Sequence, residues 1–413
     1  MQPELLDRPQ YTDKLIGYKD TPLIKVITGM RRCGKSSVMR LFMDKLKNLG
    51  IPENRIVYLN LDSMENEALL EAGALYAHVR KRIEEKERCY LLLDEVQEVE
   101  DWPRAVNSFM IDFDVDITIT GSNAHLLSSE LATFISGRYI EIPMLPLSFS
   151  EYIQFNRAFY PDEGEGGIDL LFEDYLRFGS LPVLFYHHRD VSFFESLLLG
   201  IYNTVLTKDI LQRNNVRDIA QLDRVLRFAL ANIGQTISAR RIAETMKNDN
   251  IAIGHSTVVS YLDMFCQAFL LYKVQREDVV SRDILRTFDK YYVVDLGIRN
   301  SLMGFRQINM GSMLENLVYL ELIRQGYRVM IGKVDTLEVD FVAETSQKRF
   351  YIQVCHSLTD PKTKAREMRP FQRIQDGYPR ILLSMDRTIA RDENGVLLVN
   401  VVDWLAGKKN LLG

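Results

Sequence analysis

The sequence predicts an α/β protein whose N-terminal part is a doubly wound parallel sheet. Three observations carry this. Strand-like runs alternate with helical patterns over residues 23–142. One run, residues 89–93, is apolar throughout, as in strands covered on both faces. A glycine-bearing loop stands between the first strand and the first helix.

The elements follow in order. Residues 23–28 (LIKVIT) form a short buried strand that stops at Gly29. A helix follows, with Val38, Met39, Leu41, Phe42 and Leu46 on one face. Residues 54–61 predict a second strand, 68–83 a helix, 89–93 a third strand, 102–111 a helix, 115–120 a fourth strand and 138–142 a fifth. Beyond Pro146 the pattern becomes helical to about residue 219, broken by the glycine-rich loop 162–167. Residues 220–280 form a compact helical unit that ends in a strand-like run at 270–274. A long helix from about Gly311 leads into alternating strands.

At 413 residues the chain is too long for one ordinary core, so two or three domains are expected. The net charge of −5 argues against a chain built wholly for nucleic acid. Its distribution says more. Acids outnumber bases by about eight over residues 84–116, and bases outnumber acids by about six over 346–391. Both runs fit solvated faces, and the basic one leaves room for a phosphate-bearing partner. Cys33, Cys89, Cys266 and Cys355 are widely spaced, which fits a reducing compartment and not a zinc ribbon. No apolar run approaches the length of a membrane span, and the first residues lack the pattern of a signal peptide. A cytoplasmic protein with no membrane partner is expected.

The loop Gly29-Met30-Arg31-Arg32-Cys33-Gly34-Lys35-Ser36 fits G-x-x-x-x-G-K-[ST], with Ser37 next on the helix. The glycines let backbone N–H groups curl around phosphate oxygens, and the helix points its positive end at the same anion. Lys35 would reach the β and γ phosphates, and Ser36 would place its hydroxyl on Mg²⁺. Asp94 and Glu95 end the apolar strand. Asp94 would help hold Mg²⁺, and Glu95 would act as general base on the attacking water. The next strand ends in Gly121-Ser122-Asn123. A polar side chain there, Asn123 above all, would sense the γ-phosphate or orient water, or else cap a helix. Arg138 is a candidate to stabilise charge in the transition state; an ordinary salt bridge is the alternative.

With TGMRRCGKSS, YLLLDEVQ, ITGSN, FISGRYIEIPMLPLSFSEY, YLRFGSLP, IYNTVLTKDI, KYYVVDLGIRN, GSMLENLVYLEL and EVDFVAE…FYIQV, the chain resembles prokaryotic AAA+-like P-loop ATPases that carry a C-terminal restriction-endonuclease-like domain. The resemblance covers nearly the whole chain. It implies binding of ATP or ADP with Mg²⁺, and ATP hydrolysis. It implies four segments: a P-loop NTPase core at 1–147, a helical lid at 148–222, a winged-helix-like domain at 223–300 and a restriction-endonuclease-like α/β domain at 301–413. Pro182, in Gly179-Ser180-Leu181-Pro182, would pack near the nucleotide base. The winged helix would use 237–246 and 256–266 as its helix-turn-helix, with His255 and Ser256 capping the second helix.

In the last segment Glu315, Asp340 and Gln353 stand in the order of a restriction-type nuclease site. This sequence departs from that pattern, because Cys355 occupies the position of the catalytic lysine. A thiol cannot supply that fixed positive charge. Lys362 and Lys364 are candidates for a migrated lysine. A degenerate site, without nuclease activity, is expected. The function expected is an ATP-driven switch that reads a protein or DNA partner, with Arg138 acting across subunits if the protein is an oligomer. The alternatives are a DNA-processing ATPase or nuclease, and a nucleotide sensor that scaffolds without hydrolysis.

Overall fold

The computed structural model describes residues 5–83, 87–124, 137–161, 167–186, 190–249, 251–304, 310–387 and 392–408. The loop at 162–166 lies outside them. The chain packs as two compact units. The first holds Met1–Pro146, Leu181–Tyr186 and Gln267–Phe269; the second holds Leu147–Ser180, His187–Cys266 and Leu270–Gly413.

The first unit is built on five parallel strands in the order β2-β3-β4-β1-β5. They are β1 (Ile24–Thr28), β2 (Ile56–Asn60), β3 (Cys89–Asp94), β4 (Val115–Gly121) and β5 (Tyr139–Pro143). Strand alternation explains why β3 is apolar from Cys89 to Leu93. Cys89, Leu91 and Leu93 pack with Leu75, Val79, Val106 and Phe109 of α3 (Ala72–Arg82) and α4 (Trp102–Asp112). Tyr90 and Leu92 face the other way, into Tyr11 and Leu15 of α1 (Pro9–Gly17) and Val38, Met39, Phe42 and Leu46 of α2 (Lys35–Asn48). With helices on both faces, no polar side is left to the strand.

Two boundaries differ from expectation, each for a local reason. Residues 53–55 form a 3₁₀ turn after Pro52, so β2 starts at Ile56. Helix α3 starts at Ala72 instead of residue 68, because the backbone at 70–72 is engaged elsewhere. Ala72 N donates to Glu100 O at 3.1 Å, and Glu100 N donates to Leu70 O at 2.7 Å. Near the start of the strands, Lys25 Nζ of β1 meets Asp116 Oδ1 of β4 at 2.5 Å, and both side chains are fully buried. Asp116 Oδ2 also accepts from Asp20 N at 2.8 Å.

The second unit opens with helices α5 (Phe149–Phe159), α6 (Ile168–Phe178), α7 (Val191–Thr204) and α8 (Ile219–Ala231). Ser148 and Glu151 close a capping box on α5. Then come β6 (Thr236–Ile237), α9 (Ala239–Asn248), α10 (His255–Gln267), and the antiparallel strands β7 (Leu271–Asp278) and β8 (Ile284–Val293). Ile237 lies in β6, so α9 begins at Ala239, with Ser238 Oγ accepting from Arg241 N. Helix α10 includes His255 and Ser256 in its first turn; they do not precede it as caps.

The rest is α11 (Leu296–Met303), α12 (Met310–Arg324), β9 (Arg328–Val334), β10 (Leu337–Glu344), β11 (Arg349–Val354), α13 (Pro361–Met368), β12 (Arg380–Ser384), β13 (Asp392–Glu393), β14 (Val396–Asn400) and α14 (Val401–Leu405). Nine strands form one sheet, β13-β14-β12-β11-β10-β9-β7-β8-β6. Parallel pairing of β7 with β9 joins the hairpin to the C-terminal strands. A division at residue 300 therefore cuts through a continuous sheet.

The DLGIRN stretch is a structural clamp inside this unit. Asp295 Oδ1 caps α11 through Ile298 N at 3.0 Å, while its Oδ2 accepts from Ser180 N at 2.7 Å and Ser180 Oγ at 3.0 Å. Asn300 Nδ2 donates to the last carbonyls of α6, Leu176 O at 3.0 Å and Arg177 O at 2.9 Å. A Cβ on Gly297 would sit 2.0 Å from Phe178 O, so only glycine allows this approach.

The Lys25–Asp116 pair yields the first prediction. Lys25→Met leaves a buried carboxylate without its cation and is expected to cost about 3–5 kcal/mol. Urea unfolding followed by fluorescence checks this, with Lys25→Met/Asp116→Leu expected to recover most of the loss. A single variant with an unchanged midpoint would show that the pair carries no net weight.

Candidate functional site

All five strands of the first unit run the same way, so their C-terminal ends share one edge. That edge gathers Gly29 after β1, Asp94 and Glu95 at the end of β3, and Gly121, Ser122 and Asn123 at the end of β4.

The loop shape follows from local geometry. Gly29 has φ +149, and a Cβ there would lie 2.2 Å from Met144 O. Gly34 has φ +104 and precedes α2 directly, so it turns the backbone into the helix. Arg32 also takes a positive φ, 68, with its side chain exposed. Arg31 Nη2 lies 3.9 Å from Glu98 Oε1, which ties the loop to the segment after β3. Met30 and Cys33 are buried, and burial pushes the Cys33 thiol above its usual range. Ser36 and Ser37 stand in the first turn of α2, half-buried.

Lys35 is buried, and its Nζ donates to Gly29 O at 2.9 Å and Met30 O at 3.2 Å. It also lies 3.5 Å from Glu95 Oε1. Burial disfavours its ammonium, but Glu95, Cys33 and Asp94 outweigh burial and hold the pKa above the ordinary lysine value. The reverse holds for Glu95. Burial alone would raise its carboxyl, while Lys35 and Arg31, with hydrogen bonds from Gln97 and Ser122, bring it below the usual range. Glu95 is therefore a carboxylate at neutral pH, able to take a proton.

One hydroxyl organises the acid pair. Thr120 Oγ donates to Asp94 Oδ1 at 2.6 Å and accepts from Glu95 N at 2.9 Å. Tyr58 OH donates to Asp94 Oδ2 at 2.9 Å. Burial first, then the charge of Asp94, pushes the Tyr58 phenol up to about 12, against a hydrogen bond from Arg40. Gln97 Nε2 donates to Glu95 Oε2 at 2.5 Å. Thus Asp94 is fixed by β2 and β4 together, and Glu95 from both sides.

The sequence reading missed Tyr58, Thr120, Gln97 and one more residue, Arg8. Arg8 is buried and donates to Cys33 O at 3.0 Å, Leu145 O at 3.0 Å and Pro146 O at 3.3 Å. It braces the phosphate loop from outside. Strand register would have flagged Thr120, which lies beside the strand end of β3. Nothing local marks Arg8, since a buried arginine is visible only with its carbonyl partners.

The other expected residues divide clearly. Pro182 packs at the loop: its Cγ would stand 3.7 Å from a Cβ on Gly34. Asn123 is buried at the same edge as Asp94. Arg138 is not brought to this site. Its carbonyl accepts from Ile24 N at the start of β1, so it lies at the opposite edge of the sheet. The length of β1, roughly 15 Å, separates it from Gly29. In the second unit, Gln353 Oε1 accepts from Asp340 N at 2.6 Å, and Asp340 lies near Glu315. Lys362 and Lys364 do not join them; Lys364 Nζ pairs with Glu393 at 2.5 Å.

Comparison with known proteins adds to this geometry. The AAA domain family matches residues 21–153, and a domain of unknown function matches residues 169–309. An uncharacterized protein of Haemophilus influenzae is 35% identical over 406 residues, 98% of this chain and 100% of that protein. One from Methanocaldococcus jannaschii is 29% identical over 364 residues, 85% of this chain and 78% of that protein. Among solved structures, the Walker-type ATPase of Pyrococcus abyssi aligns with a TM-score of 0.50 at 15% identity. The alignment covers 72% of this chain and 95% of that one, a likeness of fold. The chain belongs to the family of the Haemophilus protein, and its five-stranded parallel sheet with the loop at Gly29–Ser36 is a P-loop fold of the AAA type.

Proposed function

We propose that the first unit hydrolyses Mg²⁺-ATP and that the second unit reads a protein partner. One observation carries the first part. Lys35, Asp94 and Glu95 meet at the sheet edge beside the glycine-bearing loop that leads into α2.

The residues fit a Mg²⁺–triphosphate group. Glycine at 29 and 34 lets the loop turn tightly into α2, the Ser36 hydroxyl stands at the start of that helix, and the Asp94 carboxyl is held by two hydroxyls. Ser36 and Asp94 would hold the ion, which neutralises charge developing between the β and γ phosphates. The triphosphate would draw the Lys35 ammonium from Gly29 O and Met30 O to its own oxygens. Glu95, no longer shared with Lys35, then accepts a proton from the attacking water while Gln97 keeps it aimed. Asn123 would orient that water or sense the γ-phosphate. Pro182 and Arg8 flank Gly34 where the nucleoside end would lie. Arg138 could serve only the nucleotide of a neighbouring copy.

The second part rests on topology and charge. Helices α8, α9 and α10 with β6 paired to β8 and β7 paired to β8 follow the winged-helix order. Helix α12 followed by β9, β10, β11, α13 and β12 follows the order of a restriction-endonuclease-like core. Helix α10, where a DNA-reading winged helix carries its base contacts, has the sequence HSTVVSYLDMFCQ, without lysine or arginine. In the basic 346–391 stretch, Arg349 meets Glu277 and Glu344, Lys364 meets Glu393 and Arg387 meets Asp169, all acids outside the stretch. About half of that surplus is paired within the unit, which favours a protein partner over DNA.

Three outcomes are expected. Lys35→Ala loses ATP binding, while Glu95→Gln binds ATP and releases phosphate about 10²–10⁴ times more slowly. Equal rates in wild type and both variants would leave the sensor-and-scaffold reading instead. Thr120→Val disturbs Asp94 and Glu95 together, so phosphate release should fall by about 10²-fold with ATP affinity nearly unchanged; full activity would show that this hydroxyl does not position the acids. Filter binding to duplex DNA from 50 to 200 mM salt should show only weak retention; tight binding with a steep salt slope would restore the DNA-processing reading.

A further inference from the structure

One carboxylate expected in the nuclease metal site, Glu315, meets an ammonium group together with Glu338, two residues before Asp340. Lys290 of β8 is 3% exposed, and its Nζ lies 2.9 Å from Glu315 Oε1 of α12 and 2.7 Å from Glu338 Oε1 of β10. Tyr292 OH, two residues along the same strand face, donates to the same Glu315 Oε1 at 2.6 Å. Gly234, with φ +70, brings backbone against the other side: a Cβ there would lie 3.1 Å from Glu315 Oε2.

With Lys290 in place, the donor set does not fit a divalent cation. Such an ion needs several oxygens converging at about 2.0–2.6 Å. Here the inner oxygen of Glu315 already accepts from an ammonium and a phenol. Gln353 Oε1 accepts from Asp340 N, and Asp340 Oδ2 accepts from Val354 N at 2.8 Å. Among the described residues no group of three or more His, Cys, Asp or Glu could hold a metal ion.

We propose that Lys290 is the resident cation of this cluster: its ammonium, held between Glu315 and Glu338, takes the place of a metal. This ammonium comes from β8, outside the α12–β11 segment, and not from Lys362 or Lys364. The consequence is structural as well as chemical. One side chain bonds the hairpin strand β8 to α12 and to β10, so the carboxylates hold the second unit together and bind no Mg²⁺ or Mn²⁺. Without Lys290 the same carboxylates become an unneutralised cluster open to a divalent ion.

The test uses full-length protein carrying Asp94→Asn, which removes the acid proposed to hold an ion in the first unit. Mn²⁺ is the probe, followed by its electron paramagnetic resonance signal and by thermal unfolding. The Lys290 wild-type arm is expected to bind no Mn²⁺ that Glu315→Gln abolishes. Lys290→Met is expected to gain Mn²⁺ binding, with a rise in Tm of about 2–4 °C at saturating ion. Adding Glu315→Gln to Lys290→Met should abolish that gain. Folded Lys290→Met that takes up no Mn²⁺ overturns the proposal. So does Mn²⁺ bound with Lys290 intact and lost on Glu315→Gln, an outcome that does not depend on whether Lys290→Met folds. Mn²⁺-dependent DNA cleavage that requires Lys290 would make it a nuclease residue and overturns the proposal equally.

Discussion

The phosphate end of the first unit depends on two backbones that pass within van der Waals contact at Gly29. Strands β1 and β5 run side by side, and Met144 N donates to Thr28 O at 2.7 Å as they end. One residue on, Met144 O stands where a Cβ of Gly29 would be. Any side chain there would force β5 away or close the loop. Because the strands stay paired to their last residues, the loop leaves the sheet at a set angle. Lys35 then lands under Gly29 O and Met30 O, within reach of Glu95.

Charge buried beside such a scaffold needs partners, since an uncompensated buried ion costs several kcal/mol. The same solution recurs in both units. Lys35 meets Glu95, Lys25 meets Asp116, Arg349 meets Glu277, and Lys290 is shared by Glu315 and Glu338. The pairs differ in what they leave free. Lys25 and Asp116 are fully enclosed and serve the sheet alone. Lys35 and Glu95 stand at the sheet edge where a triphosphate can separate them. Lys290 joins three elements, so moving it would disturb β8, α12 and β10 together.

Most of the described charged residues in the two runs of like charge are exposed, as solvated faces require, and this recurrence explains the exceptions. The acidic run at 84–116 contains Asp94, Glu95 and Asp116, which point inward to hydroxyls and lysines. The basic run at 346–391 contains Arg349, which is buried between acids of β7 and β10. A linear count cannot separate such residues from solvated ones, because their partners are tens of residues away.

The sequence alone determined the parallel sheet and the phosphate loop. Both are written in short-range pattern: strand runs of five to eight residues, a motif of eight, and an acid pair directly after an apolar strand. Backbone sterics and the N-terminus of α2 impose these locally, so few alternatives survive. The Asp295 clamp, Arg8, Thr120 as a shared hydroxyl and Lys290 among the carboxylates were decided only by the tertiary structure. Each acts through partners 25 or more residues away, or on another strand, and register and packing choose those partners. The same reason moved Arg138 from the site to the far edge of the sheet. Its neighbours in sequence suggested a catalytic arginine, but its pairing with Ile24 placed it at the start of the strands, and ligands bind where the strands end.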